Sequence, residues 1–164
     1  MASNSVKGEQ AVLLRDVSGV LQPGVLSALM GPSGSGKTTL LDVLAGRKTS
    51  GNISGTVLFG GTPPSRAFLR RFTGYVEHFD TLLPVLTVEE MLLYTAELKR
   101  PMSEPLASKK TAVERVLDAL ALTACRDVRI GNPLAKGISG GQAKRTNIGI
   151  ALVTNPRVLF LDGA

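Results

Sequence analysis

Gly31-Pro32-Ser33-Gly34-Ser35-Gly36-Lys37-Thr38-Thr39 satisfies the pattern Gly, four residues, Gly-Lys-Ser/Thr, which is that of a phosphate-binding loop. The apolar run Val25-Leu26-Ser27-Ala28-Leu29-Met30 leads into it and reads as a strand. Leu40-Leu41-Asp42-Val43-Leu44-Ala45 follows and reads as a helix that starts at about Lys37 and ends near Gly46. The chemistry calls for these residue types. Glycines let backbone N–H groups converge on one anion with no side chain in the way. A helix start adds free N–H groups and the positive end of its dipole. The Lys37 ammonium can reach β- and γ-phosphates, and the Thr38 hydroxyl can ligate Mg²⁺. The plainer alternative is a glycine-rich loop that binds nothing; the flanking strand and helix argue against it.

The rest of the chain bounds the answer. Its 164 residues make one ordinary domain or a piece of a larger one, and 43% apolar residues suffice for a core. The net charge of +6 suits an acidic ligand or work near a membrane. The basic residues are scattered, with pairs at Arg70-Arg71 and Lys109-Lys110 rather than a patch interleaved with aromatics. No nucleic-acid partner is expected. Cys125 is the single cysteine and reads as a small buried residue. No apolar stretch reaches the roughly 18 residues of a membrane span. Met1 to Gln10 lacks the apolar core of a signal peptide, so the polypeptide is expected to be soluble or peripheral.

Along the chain, Ala11 to Val17 is a further strand candidate, joined to the next by a turn through Gln22-Pro23-Gly24. Thr49 to Gly55 is a loop, Thr56 to Phe59 a short strand closed by Gly60-Gly61, and Thr73 to Glu77 another strand. Thr87 and Glu90 form a capping box before a helix that stops at Pro101. A second helix covers about Ser108 to Leu122, and a third covers Ser139 to Val153. Val158 to Leu161 reads as a buried strand. The fold class is α/β.

Two further motifs follow in order. Ser139-Gly140-Gly141-Gln142 opens the third helix with capping-box spacing and two uncovered glycines. Alone it reads either as an ordinary capped helix or as a second anion site. Asp162 follows four apolar residues, the form of a Walker B strand whose acid can hold Mg²⁺ through water. Alone, Asp162 would be a plain strand-end acid.

In this order the three motifs resemble the nucleotide-binding domain of ATP-binding-cassette transporters, over almost the whole chain. Leu41-Asp42-Val43-Leu44-Ala45-Gly46-Arg47, Tyr75-Val76-Glu77-His78 and Lys144-Arg145-Thr146-Asn147-Ile148-Gly149 are similar to the G subfamily, which includes the white and pleiotropic-drug-resistance transporters. The resemblance implies a P-loop NTPase fold: a RecA-like parallel sheet, an antiparallel β part and a helical subdomain, incomplete at the C-terminus. It implies a nucleotide-binding core over residues 1–79 and 137–164, and the helical subdomain over 80–136. ATP and Mg²⁺ are the implied cofactors. Gly31, Ser33, Gly34, Ser35, Gly36, Lys37, Thr38 and Thr39 would hold one ATP; Ser139, Gly140, Gly141 and Gln142 would touch the ATP of a partner domain. Thr38 and Asp162 would serve Mg²⁺, with His78 a further candidate.

The implied partners are a second nucleotide-binding domain, head to tail, and a membrane domain normally on the same chain. Through that parent the domain would be membrane-associated and face the cytoplasm. The chain departs from the pattern at four places. Gly163 stands where the family has a glutamate that polarises water, and the residues expected after Walker B, with their switch histidine, are missing. His78 stands where the family has a glutamine, and no aromatic precedes Phe59 to stack on adenine. The family activity is a transport-coupled ATPase, while this polypeptide is expected to be inactive or very weak. The alternative function is a non-catalytic nucleotide-binding or interaction module.

Overall fold

The computed structural model describes residues 12–78, 82–132 and 136–163. The chain divides into two compact units, Met1–Thr56 and Val57–Ala164.

The first unit is built around one helix, α1 (Lys37–Leu44). Its start is the left-handed Gly36, φ 89°. Its end is a Schellman turn: the Gly46 N–H donates to Val43 and the Arg47 N–H to Asp42, with Gly46 at φ 66°. That satisfies carbonyls the helix leaves over, at the one residue type that takes the angle without strain. The turn at Gln22-Pro23-Gly24 forms as expected, with the Val25 N–H donating to Gln22 and Gly24 at φ 75°.

The strands expected at Ala11 to Val17 and Val25 to Met30 do not form among the described residues. Val25, Leu26 and Met30 are 59%, 90% and 90% exposed. A continuous apolar run becomes a strand only when a neighbour takes its backbone groups and layers cover both faces, and no described segment is paired with it.

The second unit holds the sheet and the helical core. β1 (Thr73–Val76) and β2 (Val158–Leu161) run parallel, with Thr73 opposite Val158 and Val76 opposite Leu161. The expected strand at Thr56 to Phe59 reduces to a single antiparallel bridge between Phe59 and Thr62. Gly60 and Gly61, at φ 57° and 79°, make the two-residue turn between them. Before β1 lies a helix that the sequence reading did not contain, α2 (Arg66–Phe72), capped by the Ser65 hydroxyl, which accepts from the Phe68 N–H. Seven residues with three arginines carry too little periodicity to announce a helix.

Three longer helices follow: α3 (Val88–Lys99), α4 (Leu106–Ala119) and α5 (Gly140–Leu152). Both expected capping boxes are present, Thr87 with Glu90 and Ser139 with Gln142. The apolar faces close on Val88, Leu92, Ala96, Val113, Leu117 and Val153, and the half-turn Thr123–Cys125 adds a buried Cys125. Gly149 lets α5 come close. A Cβ there would lie 3.0 Å from Leu92 Cδ2, 3.1 Å from Val116 Cγ1 and 3.3 Å from Leu120 Cδ1.

Ion pairs tie the helices at the rim. Arg126 reaches Glu89 on α3 at 2.7 Å and Glu114 on α4 at 2.6 Å. Arg100 reaches Glu104 at 2.7 Å and donates to the Val153 carbonyl at the end of α5. The hydrogen bond from Arg126 holds the Glu89 carboxyl below its usual pKa, and that from Arg100 does the same for Glu104. A lowered folded-state pKa adds stability above the unfolded value and loses it as pH falls through the folded value. The melting midpoint is therefore expected to drop as pH falls below the ordinary carboxylate range. Arg126→Met should flatten part of that acid limb in a pH series of melts. An unchanged limb would show that the Arg126 pairs contribute nothing.

Candidate functional site

The glycine loop of the first unit wraps back on its own lysine. Lys37 Nζ donates to the carbonyls of Gly31 and Pro32, at 2.9 Å each. The Ser35 N–H donates to Pro32 at 3.2 Å, closing the turn beneath. Gly34 and Gly36 sit at φ 82° and 89°, where a side chain is strained. A Cβ on Gly36 would also press on Leu14 Cδ2 at 3.2 Å, and one on Gly31 would lie 3.0 Å from Ser35 Oγ.

An open cleft of about 220 Å³ is lined by Leu13, Gly34, Gly36, Lys37, Thr38 and Thr39. The α1 start has no side-chain cap. Seven of the nine loop residues therefore converge here through hydrogen bonds to Lys37 or the cleft lining: Gly31, Pro32, Gly34, Gly36, Lys37, Thr38 and Thr39. Pro32 and Ser35 shape the turn, and Ser33 is exposed beside them.

In the second unit, the start of α5 is open. Ser139, Gly140 and Gly141 are exposed or half-buried, and nothing lies within 4 Å of where a Gly140 Cβ would be. Ser139 Oγ accepts from the Gln142 N–H at 3.3 Å, and Gln142 Oε1 accepts from the Ser139 N–H at 2.8 Å. The two polar side chains are thus spent on each other. What the motif presents outward is backbone N–H at the glycines and the helix dipole.

Asp162 lies one residue past β2, and its N–H donates to Val76 at 2.9 Å, which extends the ladder beyond the strand. His78 lies just past β1 and Gly163 just past Asp162, so these three share the carboxyl end of the sheet.

Two residues that position these groups carried no role in the sequence reading. Lys144 of α5 donates from Nζ to the carbonyls of Glu77 at 3.1 Å and His78 at 3.3 Å. The helix that opens with Ser139 is thereby pinned to the turn that carries His78. No local pattern announces a contact so distant in sequence. Gly137 packs on the backbone ahead of the α5 cap: a Cβ there would fall on the Ile130 carbonyl oxygen, and the Ile138 N–H donates to that same carbonyl. A glycine before a capped helix was the available signal. Among the described residues, no helix is long and apolar enough to cross a membrane.

Comparison with known proteins adds the family. Residues 14–164 match the ABC transporter family model. ABC transporter G family member 6 of Dictyostelium discoideum is 44% identical over 156 residues, covering 95% of this chain and 10% of that protein. ABC transporter G family member 49 of Oryza sativa subsp. japonica is 43% identical over 162 residues, covering 99% and 11%. ABC transporter G family member 41 of Arabidopsis thaliana is 46% identical over 156 residues, covering 95% and 11%. The chain spans about a tenth of the length of the curated relatives it matches.

Proposed function

Because this chain belongs to the ABC transporter family, we propose that it is the ATP-binding part of a G-type transporter, coupling Mg-ATP to substrate movement in the intact parent. One observation carries the reading. Lys37 is held by two loop carbonyls beside a helix start with no side-chain cap, over glycines that add no side chain to the cleft. These residues fit a polyphosphate: one cation, helix-start N–H groups and a hydroxyl line a cleft open to solvent.

ATP supplies the phosphoanhydride, and Mg²⁺ offsets its charge. Lys37 would bind the β- and γ-phosphate oxygens, and Thr38 would offer its hydroxyl to the cation. The loop N–H groups around Gly34 and Gly36 would hold the phosphates in register. In the second unit, Asp162 would hold a cation through water from its strand end, with His78 as a further candidate ligand. The open glycines of Ser139-Gly140-Gly141-Gln142 offer N–H groups to the γ-phosphate of an ATP carried by a second nucleotide-binding domain. That domain and a membrane domain are the proposed partners, with the chain on the cytoplasmic side.

Thr38→Ala tests the cation assignment. It is expected to weaken Mg-ATP binding by about tenfold, one hydrogen-bonding or coordinating group, and to leave Mg-free ATP binding unchanged in calorimetric titrations. Equal losses with and without Mg²⁺ would remove Thr38 as a ligand.

A second reading is favoured by Gly163, which has no side chain to orient an attacking water. On that reading the chain binds ATP without turning it over. Phosphate release by the purified chain separates the two: release at the rate of a hydrolytic relative overturns the non-catalytic reading, and binding without release supports it.

A further inference from the structure

His78 lies just past β1 and Gly163 just past Asp162, and the structure places these two in contact. Gly163 sits at φ 68°, and a Cβ built on it would fall on Nδ1 of His78, with Cε1 at 2.9 Å and Cγ at 3.0 Å. The imidazole therefore stands in the volume that any side chain at position 163 must enter. The backbone beneath the ring is not loose: Lys144 holds the carbonyls of Glu77 and His78. The Asp162 N–H to Val76 bond holds the opposite side. His78 is exposed, and because Cγ as well as Nδ1 lies within 3.0 Å of that Cβ, the ring can yield only by leaving its rotamer.

We propose that His78 and Gly163 are a matched pair: the imidazole takes the side-chain space of position 163, so a carboxylate can be seated after Asp162 only when the ring is displaced or removed. His78 is then a specificity-determining residue for this end of the sheet. It decides which group stands beside Asp162, an imidazole carried from β1 or a carboxylate carried from β2. The consequence for hydrolysis rests on the nucleotide reading above; the pairing itself does not.

The test is a double-mutant cycle on the full chain: Gly163→Ala and Gly163→Glu, each with His78 and with His78→Ala. The thermal midpoint is the first readout. Gly163→Ala is expected to lower it by about 5 °C more with His78 present than in the His78→Ala background, the scale of an overpacked contact in a chain of this size. Backbone strain at a positive φ affects both backgrounds and cancels in the difference. Equal losses in the two backgrounds overturn the pairing.

His78 is the chain's single histidine, so its ring proton signals provide a second readout. Gly163→Ala is expected to move them in the absence of any nucleotide, and unmoved signals overturn the contact. Phosphate release from Mg-ATP is the third. Gly163→Glu alone is expected to add none, and the double variant to exceed it. Coupled stability with no gain in release would leave the pairing standing and count against the nucleotide reading. A gain by Gly163→Glu alone would overturn the exclusion.

Discussion

Lys37→Ala is expected to weaken ATP binding by about 100-fold while leaving the fold intact. Lys37 Nζ lies on the carbonyls of Gly31 and Pro32. The loop therefore holds its cation in place with neutral acceptors rather than with a carboxylate. A phosphate oxygen replacing a carbonyl exchanges an ion–dipole contact for an ion pair, which is where the affinity arises. Charge-assisted bonds to two phosphate oxygens, at about 1.5 kcal/mol each as a lower figure, amount to roughly two decades. Stability should change little, because the bonds lost are exposed ones within a turn that Ser35 and Pro32 also close. Calorimetric titration with Mg-ATP, beside a thermal melt, checks both halves. Unchanged affinity would remove the loop from the nucleotide site. A large fall in melting midpoint would mean that the lysine serves the fold.

The second large effect concerns the core. Leu92→Ala should destabilise the second unit by about 3 kcal/mol, since it deletes a fully buried side chain where three helices meet. That corresponds to a midpoint lowered by roughly 6–12 °C for a chain of this size. Gly149 supplies the sharper part of the test. In the parent, Gly149→Ala would crowd Leu92, Val116 and Leu120, and the crowding should offset the roughly 1 kcal/mol that alanine gains over glycine inside a helix. In the Leu92→Ala background the tightest of those contacts is gone. There Gly149→Ala should be more favourable than in the parent in urea denaturation, by less than the roughly 1 kcal/mol of the helix term, since Val116 and Leu120 still lie 3.1 and 3.3 Å away. Additive effects of the two substitutions would mean that α3 and α5 do not meet at this point.

What could be read along the chain was whatever depends on neighbours a few residues apart. The angles at Gly34, Gly36 and Gly46, the N-terminal start of α1 and the capping boxes at Thr87 and Ser139 all follow from local sterics and from donors that a helix end leaves over. An apolar run likewise marked β2, and the spacing of the motifs pointed to the family. Regular structure that depends on a distant partner was not legible. Val25 to Met30 has strand composition and forms no strand among the described residues, because a ladder needs a second backbone to bond to. The Gly149 approach, the Lys144 anchor and the His78–Gly163 contact arise only once helices and strands pack. Residues 78 and 163 each look like an isolated exception in the linear order. The parallel register of β1 and β2 brings the two strand ends together, and the His78 ring fills the volume that a Cβ at position 163 would need.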